Sequence, residues 1–316
     1  MTMLVDNIFN SKDLSPKTIQ NYREYFSAIS TRSGISDMEI VATNPHKYIP
    51  LFKKWFLKDT TRKTMISAIL GIFRYNPDFK DERKREYDKW SDAFKESKER
   101  VDERYESNQP TERQEAGYVP YSDIIKARDT LPSGDIRRLL LGMYTYIHPM
   151  RCEYSRVAIY KNRVPDREST QSEPNYILIK GRKSKQTANL VLTHFKTRKH
   201  HSAYNIPLPS ELVEDLTKSL EDTPREYLFV NSRGEPYTSH LYTKWTMRVF
   251  KNVFKRPMTV ALIRHAFVNT IDFNTLSIKE KKEIATSMGH TVETQDRYRL
   301  LFDDAKSKCD CVCEAK

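Results

Sequence analysis

The sequence predicts a mainly α-helical protein with one small antiparallel β-sheet, divided into two domains. Three observations carry that expectation. Apolar residues recur at helical spacing through the first hundred or so residues; a polar stretch, ESNQPTERQEAGYV, breaks the pattern at Pro110 and Gly117; and three short β-branched runs separated by basic turns then appear within an otherwise helical second part. At 316 residues the chain can bury two cores of ordinary size. The expected division is 1–116, a helical domain with its linker, and 117–316.

The elements follow in order. In LSPKTIQNYREYFSAIS, Ser15 suits an N-cap because its hydroxyl can accept from an orphan amide, and Pro16 suits the first helical position, where no amide is needed. Ile19, Tyr22, Phe26 and Ile29 then fall at three- and four-residue steps. Asn44-Pro45 repeats that start ahead of HKYIPLFKKWF, and DTTRKTMISAILGIFRY puts Ile66, Ile69 and Phe73 on one face. Residues 80–105 are dense in charge but keep Tyr87, Trp90, Phe94 and Val101 in a stripe, which predicts one long helix packed on one side. Beyond the break, YSDIIKARDTL and the strongly apolar DIRRLLLGMYTYI read as helices. NYILI, NLVLTHF and AYNIPLP read as strands, and the helical period returns from SELVEDLTKSL.

Lys and Arg number 54 against 42 Asp and Glu, a formal charge of +12. That excess favours a polyanionic partner, because each cation that neutralises a phosphate releases condensed counterions. No apolar run approaches the roughly 20 residues of a membrane span, and MTMLVDNIFNSKDLSPK lacks the basic flank and apolar core of a secretory signal. An intracellular protein, cytoplasmic or nuclear according to host, is expected. Cys152 stands alone, while Cys309, Cys311 and Cys313 alternate in the tail; their single spacers do not match the two-to-four-residue spacing of common zinc sites, so no metal site is expected.

Four features of the second part offer chemistry. Arg151 follows the apolar helix through HPM. Lys196 sits in HFKTRKHH at a strand end, Arg264 and His265 adjoin in LIRHAF, and His290 precedes Tyr298 in MGHTVETQDRYRL. Each alone has a plain structural reading as a surface charge, a solvated turn or a half-buried helix residue. Their order and spacing as a set resemble the tyrosine recombinases, the phage integrase family, whose signature runs Arg, Lys on a β-hairpin, His-x-x-Arg, His or Trp, then Tyr. MRCEY is similar to the first arginine box at Arg151, HFKTRKHHSAYNIPL to the hairpin with Lys196, ALIRHAF to the second arginine box at Arg264, MGH places His290, and QDRY places Tyr298. The resemblance covers nearly the whole chain and suggests a divergent viral or mobile-element member.

The resemblance implies a two-domain clamp on DNA, with a helical core-binding domain and a catalytic domain that works as a homotetramer on paired double-stranded sites. It implies site-specific cutting and rejoining through a 3′-phosphotyrosine, with Tyr298 as nucleophile, Arg151, Arg264 and His290 on the phosphate oxygens, and Lys196 as general acid. Arginine suits the oxygens because its planar fork stays protonated and stabilises charge that grows toward the transition state. No cofactor is called for, since the phosphodiester energy stays in the covalent link. Arg182, Lys183 and Lys185 in one turn, and Arg198 and Lys199 in the other, are candidate phosphate contacts.

Two positions depart from the family pattern. The usual His or Lys three residues before the second arginine is Ala261, and the acidic residue usually three after the first arginine is Glu153, two after. His265, four residues beyond Ala261 on the same helical face, is a candidate to replace the missing group, either directly or through a water; the competing reading is a buried structural histidine. The functional alternatives are a type IB topoisomerase, which shares the chemistry, and an inactive DNA-binding descendant.

Overall fold

The computed structural model describes residues 3–165, 174–182, 185–198 and 202–302. The chain separates into two units, Met1–Ser107 and Asn108–Lys316. The division falls inside the polar stretch that interrupts the sequence pattern, and residues 108–116 group with the second unit rather than with the first.

The first unit consists of helices that begin where the sequence supplies caps. After α1 (Met3–Phe9), α2 (Pro16–Ser33) opens with the Ser15 side chain accepting from the Thr18 amide and ends at Gly34, whose φ of 70° suits a residue without Cβ. Next come α3 (Met38–Thr43), α4 (Pro45–Trp55) and α5 (Asp59–Arg74). The core gathers Phe26, Ile29, Tyr48, Phe52, Ile66, Ile69 and Phe73 around Trp90, whose indole N–H donates to the Ala42 carbonyl at 2.9 Å.

The expected single helix over 80–105 is two: α6 (Pro77–Glu82) and α7 (Lys84–Glu106), separated at Arg83 with φ −114° and ψ 36°. The interruption has a packing reason. Phe79 and Tyr87 both lie against Phe73, with ring centroids 5.2 and 5.7 Å away. On one straight helix, residues eight apart would be about 12 Å apart along the axis, too far to share one ring.

In the second unit, α8 (Glu112–Gly117) carries a capping box between Thr111 and Gln114. α9 (Tyr121–Thr130) and α10 (Ile136–Thr145) match the two predicted helices, and Asp135 caps α10. A 3₁₀ turn, Glu153–Arg156, leads into a four-stranded sheet of order β1-β2-β3-β4: β1 (Val157–Lys161), β2 (Asn175–Lys180), β3 (Thr187–Leu192) and β4 (Tyr204–Pro207). The three runs read from the sequence pair antiparallel; β1 adds a parallel edge on β2, so the sheet is mixed. Burial alternates as a one-sided sheet requires, with Ile177, Ile179, Ala188, Leu190 and Leu192 facing the core. Then follow α11 (Ser210–Asp222), α12 (Ser239–Phe254), α13 (Val260–Val268), α14 (Ile278–Ser287) and α15 (Val292–Asp296). Among the described residues no helix is long and apolar enough to cross a membrane.

Gly117 is where α8 meets the rest of this unit. A Cβ there would lie 2.7 Å from the Pro257 carbonyl oxygen and 2.8 Å from a Leu262 methyl. Because the nearest obstacle is backbone, Gly117→Ala is expected to destabilise this unit by about 1–3 kcal/mol, a fall of roughly 3–10 °C in melting temperature measurable by calorimetry.

Candidate active site

The site grows from the end of one helix and the buried face of another. α14 ends in a Schellman turn: the His290 amide donates to the Ala285 carbonyl at 3.1 Å, the Gly289 amide to Thr286 at 2.8 Å, and Gly289 takes φ +70°. The Gly-His pair is therefore a helix stop, and it delivers His290, 4 % exposed, into the interior. α13 starts at a Thr259 cap and carries Arg264, which is 1 % exposed.

Arg264 staples the surrounding backbone. Its Nη1 donates to the Pro149 carbonyl at 2.7 Å and to the Met288 carbonyl at 3.0 Å, so one guanidinium nitrogen ties the loop bearing Arg151 to the turn bearing His290. Its Nε donates to the Tyr298 hydroxyl at 3.3 Å, and its guanidinium carbon lies 4.8 Å from the centre of that ring. Nη2 is buried and makes no hydrogen bond. On the Tyr298 ring the His290 imidazole stacks nearly parallel, 12° between planes and 5.2 Å between centroids.

Arg151 joins through a shared carbonyl. Its Nη1 donates to Gly289 O at 3.0 Å, and the Thr197 hydroxyl donates to the same oxygen at 3.2 Å. The Arg151 backbone is held from behind by the buried Tyr144, whose hydroxyl donates to the Arg151 carbonyl at 2.9 Å and contacts the Tyr242 hydroxyl at 3.1 Å. Burial pulls the Arg264 pKa down, and Arg151 pulls in the same direction while Glu153 and Tyr298 oppose. Arginine remains charged regardless. Two guanidinium groups thus converge on one interior, an arrangement that suits an anion.

Arg151, Arg264, His290 and Tyr298 are therefore brought together. Lys196 is exposed in the turn between β3 and β4, and the neighbouring Thr197 anchors that turn to Gly289. Ala261 is exposed on α13. The His265 ring lies against the Tyr298 ring, 4.8 Å between centroids, but its nitrogens have other partners: Nδ1 donates to the Tyr298 carbonyl at 2.6 Å, and Nε2 faces the Gln114 amide at 3.5 Å. Of the candidate phosphate contacts, Arg182, Lys185 and Arg198 are exposed, while Lys183, Lys199 and the tail cysteines 309, 311 and 313 lie outside the described residues.

In the sequence, Thr197 and Gly289 are marked only by the Lys-Thr and Gly-His pairs. The exposed face of α12 is cationic. Its His240, Lys244, Arg248 and Lys251 are exposed, fall within an arc of about 80° at helical spacing, and share a helix without any acidic residue.

His265 gives a pH prediction. Burial lowers its pKa, the bond to the Tyr298 carbonyl works the other way, and Arg264 reinforces the lowering. A histidine ordinarily titrates near 6.5, so the unfolded chain takes up this proton first as pH falls. Stability is full above that value and is lost as pH drops below it toward the folded pKa. His148, also lowered by burial, acts in the same direction. The expected result is a melting temperature that falls as pH drops below about 6.5, with a shallower fall in His265→Gln.

No family model matches the chain, and no curated protein matches it. Solved structures do. A lambda integrase fragment, crystallised as a dimer bound to a COC′ core site, is 16% identical and superposes with a TM-score of 0.53 over 97% of this chain and 96% of that one. A lambda integrase dimer bound to the same kind of site is 16% identical, with a TM-score of 0.51 over 97% and 78%. A lambda integrase fragment bound to DNA is 18% identical, with a TM-score of 0.50 over 98% and 97%. The likeness, at such identities, is one of architecture: this chain has the tyrosine recombinase fold.

Proposed function

We propose that the chain is a site-specific DNA recombinase that cuts and rejoins duplex DNA through a 3′-phosphotyrosyl link to Tyr298. The observation that carries this reading is the placement of the Tyr298 hydroxyl 3.3 Å from Arg264 Nε, within a side-chain cluster that also includes His290 and Arg151. The lambda integrase structures of like fold are DNA complexes, which supports duplex DNA as the partner.

The chemistry follows from the residues. The Tyr298 oxygen attacks the scissile phosphorus and gives up its proton to solvent water as the O–P bond forms. The P–O5′ bond breaks, and the Lys196 ammonium gives a proton to the departing 5′ oxygen. Arg151, Arg264 and His290 hold the two nonbridging oxygens, where charge builds. Arg264 Nη2, buried and making no hydrogen bond, has donor capacity for that task. Reversal by a second 5′-hydroxyl rejoins the strand, and exchange between two duplexes calls for several protomers, a homotetramer on paired sites. The exposed cationic face of α12, with Arg182, Lys185 and Arg198, would follow the phosphate backbone.

The test is adduct capture. The full chain is incubated with nicked duplexes of randomised core sequence, denatured, and the DNA covalently attached to protein is sequenced. The expected result is 3′ ends linked to protein and enriched for one site. Absence of any adduct would remove the enzyme reading and leave a DNA-binding descendant. Adducts without sequence preference, with relaxation of a supercoiled plasmid by the monomer, would give the type IB topoisomerase reading.

A further inference from the structure

We propose that Asn269 is a positioning residue that holds the Tyr298 segment to its own chain, so that each protomer's nucleophile serves its own pocket; the inference rests on the recombinase reading. Asn269 lies four residues beyond His265 on α13's C-terminal side, at its C-cap, and so shares a face with it. Its Oδ1 accepts from the Leu300 amide at 2.9 Å, and its Nδ2 donates to the Leu300 carbonyl at 2.9 Å. One side-chain amide thus grips both backbone groups of a single residue, as a neighbouring strand would. His265 adds its bond to the Tyr298 carbonyl at 2.6 Å.

The segment beyond is held as well. The Leu301 amide donates to the Asn108 carbonyl at 2.9 Å, and the Phe302 ring sits 4.3 Å from that of Tyr118. Leu300 is 6 % exposed. These contacts are made within the second unit of one chain. The helix that carries Arg264 therefore also fixes the backbone on both sides of Arg299. Two residues of fully extended chain reach at most about 7 Å. With Leu300 gripped, Tyr298 has no slack to enter a neighbouring protomer's pocket, and the side chain that sets this limit is Asn269.

Three measurements test the proposal. Without DNA, hydrogen exchange on the full chain should show the Leu300 amide exchanging at least about 10-fold faster in Asn269→Leu than in wild type. Asn269→Asp, which keeps the acceptor but loses the donor, should lie between. On nicked duplexes recovered by adduct capture, single-turnover adduct formation should fall about 10- to 100-fold in Asn269→Leu. Its DNA affinity, set by phosphate contacts elsewhere, should stay within about twofold. A mixture of Arg264→Ala, which keeps the tyrosine, with Tyr298→Phe, which keeps the pocket, should form no adduct.

Adduct formation by that mixture would overturn the proposal, as would a wild-type cleavage rate in Asn269→Leu or unchanged exchange at Leu300. Should wild type itself form no adduct, the recombinase reading fails and this inference with it, whereas faster exchange in the variants would still establish the grip. The two failures are thereby separable.

Discussion

Tyr298→Phe is expected to abolish covalent adduct formation while leaving DNA affinity within about twofold, since affinity for duplex DNA is set mainly by phosphate contacts. The substitution removes one oxygen and keeps the ring. The stack on His290 and the contact with the Arg264 guanidinium both survive, because they belong to the aromatic face. What disappears is the acceptor 3.3 Å from Arg264 Nε and, with it, the only atom of that side chain able to bond phosphorus. Stability should fall by about 1 kcal/mol, roughly 2–4 °C, the ordinary net worth of one hydrogen bond in a unit of this size. A denaturing gel of captured duplexes reads the first effect and calorimetry the second. Adduct persisting in the variant, mapped by proteolysis to another residue, would take the nucleophile assignment away from Tyr298.

The sequence pattern reveals the helices well because their caps are local. Ser15, Thr259 and Ser277 each accept from the amide three residues on, and Ser15 and Thr259 stand where a periodic apolar run begins. What the pattern misses is set by distant partners. The interruption at Arg83 has no glycine or proline to announce it; it exists because Phe79 and Tyr87 share Phe73. β1 is equally silent, since a parallel strand is defined by its register on β2 and not by a turn of its own.

The site divides in the same manner. Arg151, Arg264, His290 and Tyr298 are legible as a set of spaced residues, and their convergence needs only that α13 and the end of α14 meet. The parts that orient them are read from hydrogen bonds: Tyr144 behind Arg151, Gly289 as the shared acceptor, and Asn269 on Leu300. A tyrosine in a helix or an asparagine at a helix end is too common a sight in sequence to signal such a role. His265 illustrates the difference. Sequence spacing allows it to replace the side chain absent at Ala261, but its ring nitrogens face the Tyr298 carbonyl and the Gln114 amide instead of the phenol oxygen.

Arg264 should be the position where charge alone does not suffice, and Arg264→Lys is expected to slow single-turnover cleavage by about 10²–10³ although the cation remains. Nη1 already serves two carbonyls, Pro149 and Met288, while Nε reaches the phenol, so the nitrogen left for a phosphate oxygen is Nη2. A lysine ammonium is one compact donor group at the end of a flexible stem; it can replace part of the Nη1 duty or face the phosphate, but not both. Arg264→Met completes the comparison. It removes the buried charge, whose desolvation opposes folding, and also removes the donor to two interior carbonyls, costing about 1–3 kcal/mol for each one left without a partner. Met should therefore be the less stable of the two by calorimetry, yet slower than Lys by no more than about 10-fold, one kinetic decade being about 1.4 kcal/mol. A Lys variant that cleaves at the wild-type rate would mean that the fork is dispensable and that Arg264 is chiefly a staple for the loops around it.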